Sequence, residues 1–151
     1  MSKVHVALPY GESSIAAGVP AAHLMGIYQP PASPAGADEA ALLKEALSHP
    51  IGSRRLRDLA AQGKRVAVVV SDLTRPCPSE KMLPPILQEL NDAGVRDADI
   101  TIIAALGLHR PMRPSELEAM VGPDVYRRMS VINHDPAETI SLGQTSRGTP
   151  V

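Results

Sequence analysis

The sequence predicts an α/β fold: a mostly parallel sheet of βαβ units with flanking helices, preceded by a β-hairpin-like N-terminal segment. Three observations predict it. RVAVVV (65–70), ITIIAAL (100–106) and SVIN (130–133) are short runs rich in β-branched residues, as strands are. The first two runs are apolar at nearly every position, as strands buried on both faces of a parallel sheet require. A helical pattern separates each run from the next, and strand–helix–strand alternation implies parallel strands with right-handed crossovers.

The elements follow in chain order. KVHVAL (3–8) alternates polar and apolar residues and stops at Pro9-Tyr10-Gly11, which reads as a strand and turn; residues 13–19 suit a second short strand pairing with it. YQPPASPAGAD (28–38) has three prolines in five positions and reads as an extended connector. Asp38 suits the N-cap of a helix over EAALLKEALS, with Leu42, Leu43, Ala46 and Leu47 on one face and Pro50 and Gly52 beyond its end. Ser53 suits the cap of a short helix over RRLRDLAAQ, ended by Gly63. After the strand at 65–70, Leu83, Ile86, Leu87 and Leu90 keep i, i+3, i+4, i+7 spacing and Gly94 closes the helix. Pro84 and Pro85 place its start close by, since proline is tolerated in a first turn. SELEAMVG and PDVYRRM are short helical pieces before the last strand.

Composition sets the bounds. With 151 residues the chain fits one domain and hides roughly two-thirds of its unfolded surface. It has no Phe and no Trp, so aliphatic side chains and Met fill the core. A net charge of −1 argues against a broad nucleic-acid surface, which needs a basic excess. One cysteine forms no internal disulfide. No stretch approaches the ~20 apolar residues of a membrane span, and MSKVHVALPYGESS has no long apolar leader core. A soluble cytoplasmic protein is the expectation.

Parallel sheets bind ligands beyond the carboxyl ends of their strands. Here those ends carry SDLTRP (71–76), GLHRP (107–111) and NHDP (133–136). Arg75 can grip a carboxylate or phosphate with two parallel hydrogen bonds. Asp72 and Thr74 can bond sugar hydroxyls or phosphate-side amides, and the amides of the following helix can hold a phosphate. Each residue also has a plainer reading: Asp72 and Thr74 as turn caps, Arg75 as half of a surface ion pair, His109 as a solvated loop histidine, and Asn-His-Asp-Pro as a turn, leaving no role set for His134. His5, His23 and His49 lie outside the three loops. Cys77, between two prolines, reads as a packed thiol rather than a nucleophile. No CxxC, HExxH or Walker pattern occurs, so no metal ligand is assigned.

The joint pattern favours the functional readings. VVVSDLTRPCPSEKMLPPILQELNDAGV (68–95), DITIIAALGLHRPM (99–112) and VINHDP (131–136), with VALPYG and HPIGSRRLRDLA earlier in the chain, closely resemble the N-terminal domain of the lactate racemase family, the nickel-pincer-nucleotide enzymes. The likeness spans nearly the whole chain. It implies that the loop matching Asp72, Leu73, Thr74 and Arg75 holds the nickel-pincer nucleotide, a nickel–pyridinium-3,5-bisthiocarboxylate mononucleotide. It implies that Arg75 also faces the substrate carboxylate. His109 then corresponds to one of two acid/base histidines, taking the hydroxyl proton of a 2-hydroxy acid while the cofactor accepts the α-hydride. The implied activity is that of an isomerase, a 2-hydroxy acid racemase or epimerase.

Family members are far longer and carry a second, C-terminal domain. The expectation is therefore that residues 1–151 are the N-terminal α/β domain, or part of it, of such a protein. The second histidine, the cofactor-attaching lysine and the nickel-binding histidine are expected outside these residues. Alone, the chain is expected to be inactive and to bind no cofactor tightly. The competing reading is a non-catalytic nucleotide- or phosphate-binding α/β module using the same loops.

Overall fold

A computed structural model of the chain describes residues 2–29, 31 and 38–151. The chain divides into two compact units, Met1–Gly36 and Ala37–Val151. Residues 30 and 32–37 of the expected proline-rich connector lie outside the described residues.

The N-terminal unit is a hairpin of β1 (Lys3–Tyr10) and β2 (Ser13–Pro20), antiparallel and in register from Lys3 opposite Pro20 to Tyr10 opposite Ser13. Gly11, at φ 58°, takes the first central position of its two-residue turn, where a type II′ hairpin needs glycine. β1 runs two residues past its expected stop, through Pro9. Proline is accepted there because both strands of a two-stranded ribbon are edges.

The second unit carries the α/β sheet. β3 (Val66–Ser71), β4 (Ile100–Ala105) and β5 (Ser130–Asn133) are parallel in the order β3-β4-β5. Four helices supply its core and flanks: α1 (Glu39–Ser48), α3 (Ser79–Asp92), α4 (Pro114–Val121) and α5 (Pro123–Arg128). Asp38 caps α1, its carboxylate accepting the Ala40 N–H at 3.0 Å. Leu83, Leu87 and Leu90 of α3 are almost wholly buried and pack with Val70, Ile100 and Ile102 of the sheet and with Val121 and Val125. Each such side chain contributes roughly 1.5–3 kcal/mol on burial. Gly94 at φ 84° ends α3, with the Val95 N–H donating to the Leu90 carbonyl at 3.1 Å in a Schellman-type closure.

Three local expectations are corrected. The short helix after Pro50 is only α2 (Leu56–Leu59), and Arg55, not Ser53, precedes it. The Ser53 hydroxyl donates to the Arg54 carbonyl instead. α3 starts at Ser79, so Pro84 and Pro85 lie inside it, in its second turn. The carbonyls of Glu80 and Lys81 thereby lose their helical donors, but both residues face solvent, where water replaces them. Finally, the sheet is not covered equally. Val69 opposes Ile103, and Ile103 opposes Ile132, across the face away from the main core. Val69 is 65% exposed and Ile132 46% exposed. The apolar pattern of both faces is present, but among the described residues Ile103 is only partly covered on the second face and Val69 and Ile132 stay exposed.

Candidate functional site

The site lies beyond the carboxyl ends of β3 and β4. The two strands run in register, Ser71 beside Ala105, so the loops that follow leave the sheet side by side. A depression of about 510 Å³ opens there, lined on one side by Ser71, Asp72 and Arg75 and on the other by Gly107, Leu108 and His109.

Asp72 organises the first loop. Its main-chain carbonyl accepts the Arg75 N–H at 3.1 Å. Oδ1 accepts the Thr74 N–H at 3.2 Å and the Thr74 hydroxyl at 2.7 Å. This is the Asx-turn geometry that makes aspartate favoured at such corners. Oδ2 is bonded to Nδ1 of His109 from the second loop. Asp72 is only 5% exposed, and its pKa is lowered to about 2, first by the Thr74 hydroxyl and then by His109. Hydrogen bonds to the charged form outweigh burial, which opposes them. The turn-capping reading of Asp72 and Thr74 is met by these atoms, and the same carboxylate reaches His109.

The second loop is held from several directions. The His109 N–H donates to the Leu106 carbonyl at 2.9 Å, with Gly107 at φ 57° in the turn between them. Arg110 forks onto Glu116 at 2.8 and 2.7 Å. Glu116 also accepts the Arg113 N–H at 2.7 Å. Arg110, then that N–H, hold the Glu116 carboxyl down at about 2. The Asn133 side chain at the end of β5 clasps Met112, accepting its N–H at 3.0 Å and donating to its carbonyl at 2.9 Å. His109 itself keeps half of its side chain, 51%, exposed to the depression.

The expected site residues are therefore placed as follows. Asp72, Arg75 and His109 line one depression. Thr74 does not line it but is bonded to Asp72. Leu73 turns to a neighbouring hollow of about 310 Å³, shared with Asp72, Arg75, Cys77 and Glu80. The α3 N-terminus, expected to offer amides to a phosphate, does not line the larger depression; six residues separate Ser79 from Asp72, and the Ser79 N–H donates to the Cys77 carbonyl. Cys77 is exposed, not packed: it is flanked by Pro76 and Pro78 in the loop ahead of α3 and meets the Ser79 hydroxyl at 3.8 Å. His134 extends the sheet ladder through its main-chain N–H, bonded to the Ala104 carbonyl at 3.0 Å. Among the described residues Arg75 has no ion-pair partner, and no group of three or more His, Cys, Asp or Glu side chains gathers as metal ligands.

Sequence reasoning missed the Asp72–His109 bond and the Asn133 clasp. Both link residues 37 and 21 positions apart. The available signal was that the paired residues sit at the ends of neighbouring strands of one parallel sheet or in the loops that follow them.

The chain thus carries, beyond the carboxyl ends of a parallel α/β sheet, a carboxylate–imidazole pair and a guanidinium with no ion-pair partner among the described residues. The lactate racemase N-terminal domain family matches residues 10–151, and the chain belongs to that family. A lactate racemase of Thermoanaerobacterium thermosaccharolyticum is 35% identical over 136 residues, covering 87% of this chain and 31% of the relative. One from Lactiplantibacillus plantarum is 30% identical over 150 residues, covering 96% and 35%. The solved lactate racemase apoprotein from T. thermosaccharolyticum superposes with a TM-score of 0.76 at 32% identity, over 97% of this chain and 34% of that one. The chain spans about a third of the length of these relatives. Among the described residues, no helix is long and apolar enough to cross a membrane.

Proposed function

We propose that these residues are the N-terminal domain, or part of it, of an isomerase that racemises or epimerises a 2-hydroxy acid, and that they supply its carboxylate-gripping arginine and one acid/base histidine. The observation that carries this reading is the pairing of His109 with Asp72 in a depression that Arg75 also lines. Membership of the lactate racemase N-terminal domain family supports it.

The residues fit a ligand bearing carboxylate or phosphate. Arg75 offers a planar fork with no competing acid among the described residues, and the site is large enough for a small acid beside part of a nucleotide. The loop Asp72–Arg75 would hold the nickel-pincer nucleotide. When bound, that group supplies a hydride acceptor for the substrate's α-carbon. The protein does the rest. Arg75 binds the carboxylate through two parallel hydrogen bonds and so fixes which way the α-carbon faces. His109 would accept the hydroxyl proton of one enantiomer at Nε2, the nitrogen left free by Asp72, and give a proton back to that oxygen when the same enantiomer re-forms, while the second histidine serves the opposite enantiomer. An imidazole suits both directions because its two protonation states are close in free energy near neutrality. The second acid/base histidine, the cofactor-attaching lysine and the nickel ligand lie outside these residues in this reading. The chain alone then neither racemises lactate nor holds nickel tightly.

The test is racemisation of L- and D-lactate by the cofactor-loaded enzyme in D₂O, with mass analysis of the α-position. Racemisation with the α-protium retained is expected, because the hydrogen moves as hydride and never equilibrates with water. Deuterium at the α-carbon would show proton abstraction and overturn the reaction type. Full cofactor loading without turnover would favour a non-catalytic binding module.

A further inference from the structure

We infer that Asp72 is a positioning residue for proton transfer: through its bond to Nδ1 it keeps the neutral His109 in the tautomer with Nε2 bare, and Thr74 fixes Asp72 for that task. The inference rests on the acid/base reading of His109. It also changes the role expected for Asp72, from holding the cofactor to holding the base.

The geometry leads there in three steps. First, both carboxylate oxygens are committed inside the protein. Oδ1 takes the Thr74 N–H and hydroxyl, and Oδ2 takes His109. Little acceptor capacity remains for a ligand on a side chain that is 5% exposed. Second, an ionised carboxylate is acceptor-only, so the ring nitrogen facing it must carry the hydrogen. With its pKa near 2, Asp72 stays ionised throughout the working range. In the neutral ring the other nitrogen is then a lone-pair acceptor, the state needed to take a hydroxyl proton. Third, the Thr74 bonds give the carboxylate a direction. A main-chain N–H can only donate, so whatever replaces Asp72 must keep an acceptor at the Oδ1 position.

That third step makes Asp72→Asn an informative substitution. The new amide must turn its oxygen to the Thr74 N–H, which leaves its NH₂ facing His109. The NH₂ can only donate, so Nδ1 must become the acceptor and the proton must move to Nε2. The side chain keeps nearly the same size and place, but the imidazole presents an N–H where the reaction needs a lone pair. The other charged groups nearby do not substitute. Arg75, on the same depression, is a cation with no acceptor, and Arg110, next to His109 in sequence, is committed to Glu116.

The experiment reads the tautomer and the rate separately. Nitrogen-15 histidine shifts, recorded on the apoprotein above the imidazole pKa, should show His109 protonated at Nδ1 in the wild type and at Nε2, or mixed, in Asp72→Asn. Asp72→Glu should recover part of the Nδ1–H population, and Thr74→Val, which keeps the main-chain donor, should retain most of it. In the cofactor-loaded enzyme, Asp72→Asn should lower kcat about 10²- to 10⁴-fold, the range for losing a general base, with a small change in KM and unchanged cofactor content. An unchanged tautomer in Asp72→Asn overturns the inference. So does loss of cofactor in place of loss of kcat, which would return Asp72 to a binding role. If the tautomer shifts and His109→Ala is itself fully active, the positioning geometry stands and it is the acid/base reading that fails.

Discussion

Asp72 and Glu89 are the two nearly buried carboxylates of the α/β unit, 5% and 7% exposed, and both are held near a pKa of 2. By burial and titration they are alike, and only their partners tell them apart. Glu89 on α3 accepts Arg57 at 3.2 and 2.8 Å and Arg55 at 2.7 Å. Both partners are permanent cations, and Arg57 also reaches Asp92 at 2.8 Å. The cluster fastens α2 and the residue before it to α3. Asp72 is satisfied by a hydroxyl, an amide and an imidazole, and it stands at the carboxyl edge of the sheet beside an arginine with no acid partner among the described residues. A depressed pKa therefore marks a well hydrogen-bonded charge in both places, and only Asp72 belongs to the proposed site. What distinguishes the site is a titratable partner together with an uncommitted cation facing open space.

The same contrast separates the two arginines of the site loops. Arg110 is locked in a fork on Glu116, whereas Arg75, without an ion-pair partner among the described residues, is the proposed carboxylate grip. Arg75→Lys should lower kcat/KM of the cofactor-loaded enzyme by about 10²-fold, because lysine keeps the charge but not the planar fork that aligns a carboxylate. The loss should fall on kcat as well as KM, and melting should not change. Arg110→Lys, by comparison, should shift melting slightly and leave KM for the acid within about twofold, a result checked in the same steady-state series. If both substitutions cost the same, the distinction between them is wrong.

Glu89→Ala tests the other member of the carboxylate pair. It strips Arg55 and Arg57 of their acceptor and should cost about 1–2 kcal/mol in denaturant unfolding. That is the lower part of the range for breaking such a cluster, since both guanidiniums keep about a third of their surface in water. Turnover per folded molecule should be unchanged, the opposite of the outcome for Asp72→Asn.

The smallest expected effect is on acid stability. Asp72, Glu89 and Glu116 all have folded pKa values near 2, below their ordinary values of 3.8 to 4.5. A carboxylate with a depressed folded pKa adds stability above its unfolded pKa and loses it as pH falls toward the folded value. Melting temperature should therefore be flat above pH 5 and decline from about pH 4.5 toward pH 2. Glu89→Gln should flatten part of that slope.

Much of this architecture was legible in the chain. β3, β4 and β5 announce themselves as β-branched runs, and α3 by its leucine spacing, because periodicity and run length are local properties. The site loops were legible for the same reason: they are the polar residues that end buried strands. The pairings were not. Asp72 with His109, Glu89 with Arg55 and Arg57, and Asn133 with Met112 are set by strand register and helix packing across 21 to 37 residues. α2 was overextended because RRLRDLAAQ has helical propensity throughout, and only tertiary context stops it at Leu59. The exposure of Val69 and Ile132 was hidden because their apolar character, read alone, signals burial on both faces.

The account stands or falls on His109 as the group that moves the hydroxyl proton. The most direct measurement is steady-state racemisation by His109→Ala in both directions, with cofactor content and thermal melting determined on the same samples. The account predicts a loss of about 10²- to 10⁴-fold in both directions, with cofactor loading preserved and melting nearly unchanged, since a half-exposed loop histidine has little packing to lose. Near-wild-type turnover at full cofactor loading would contradict it.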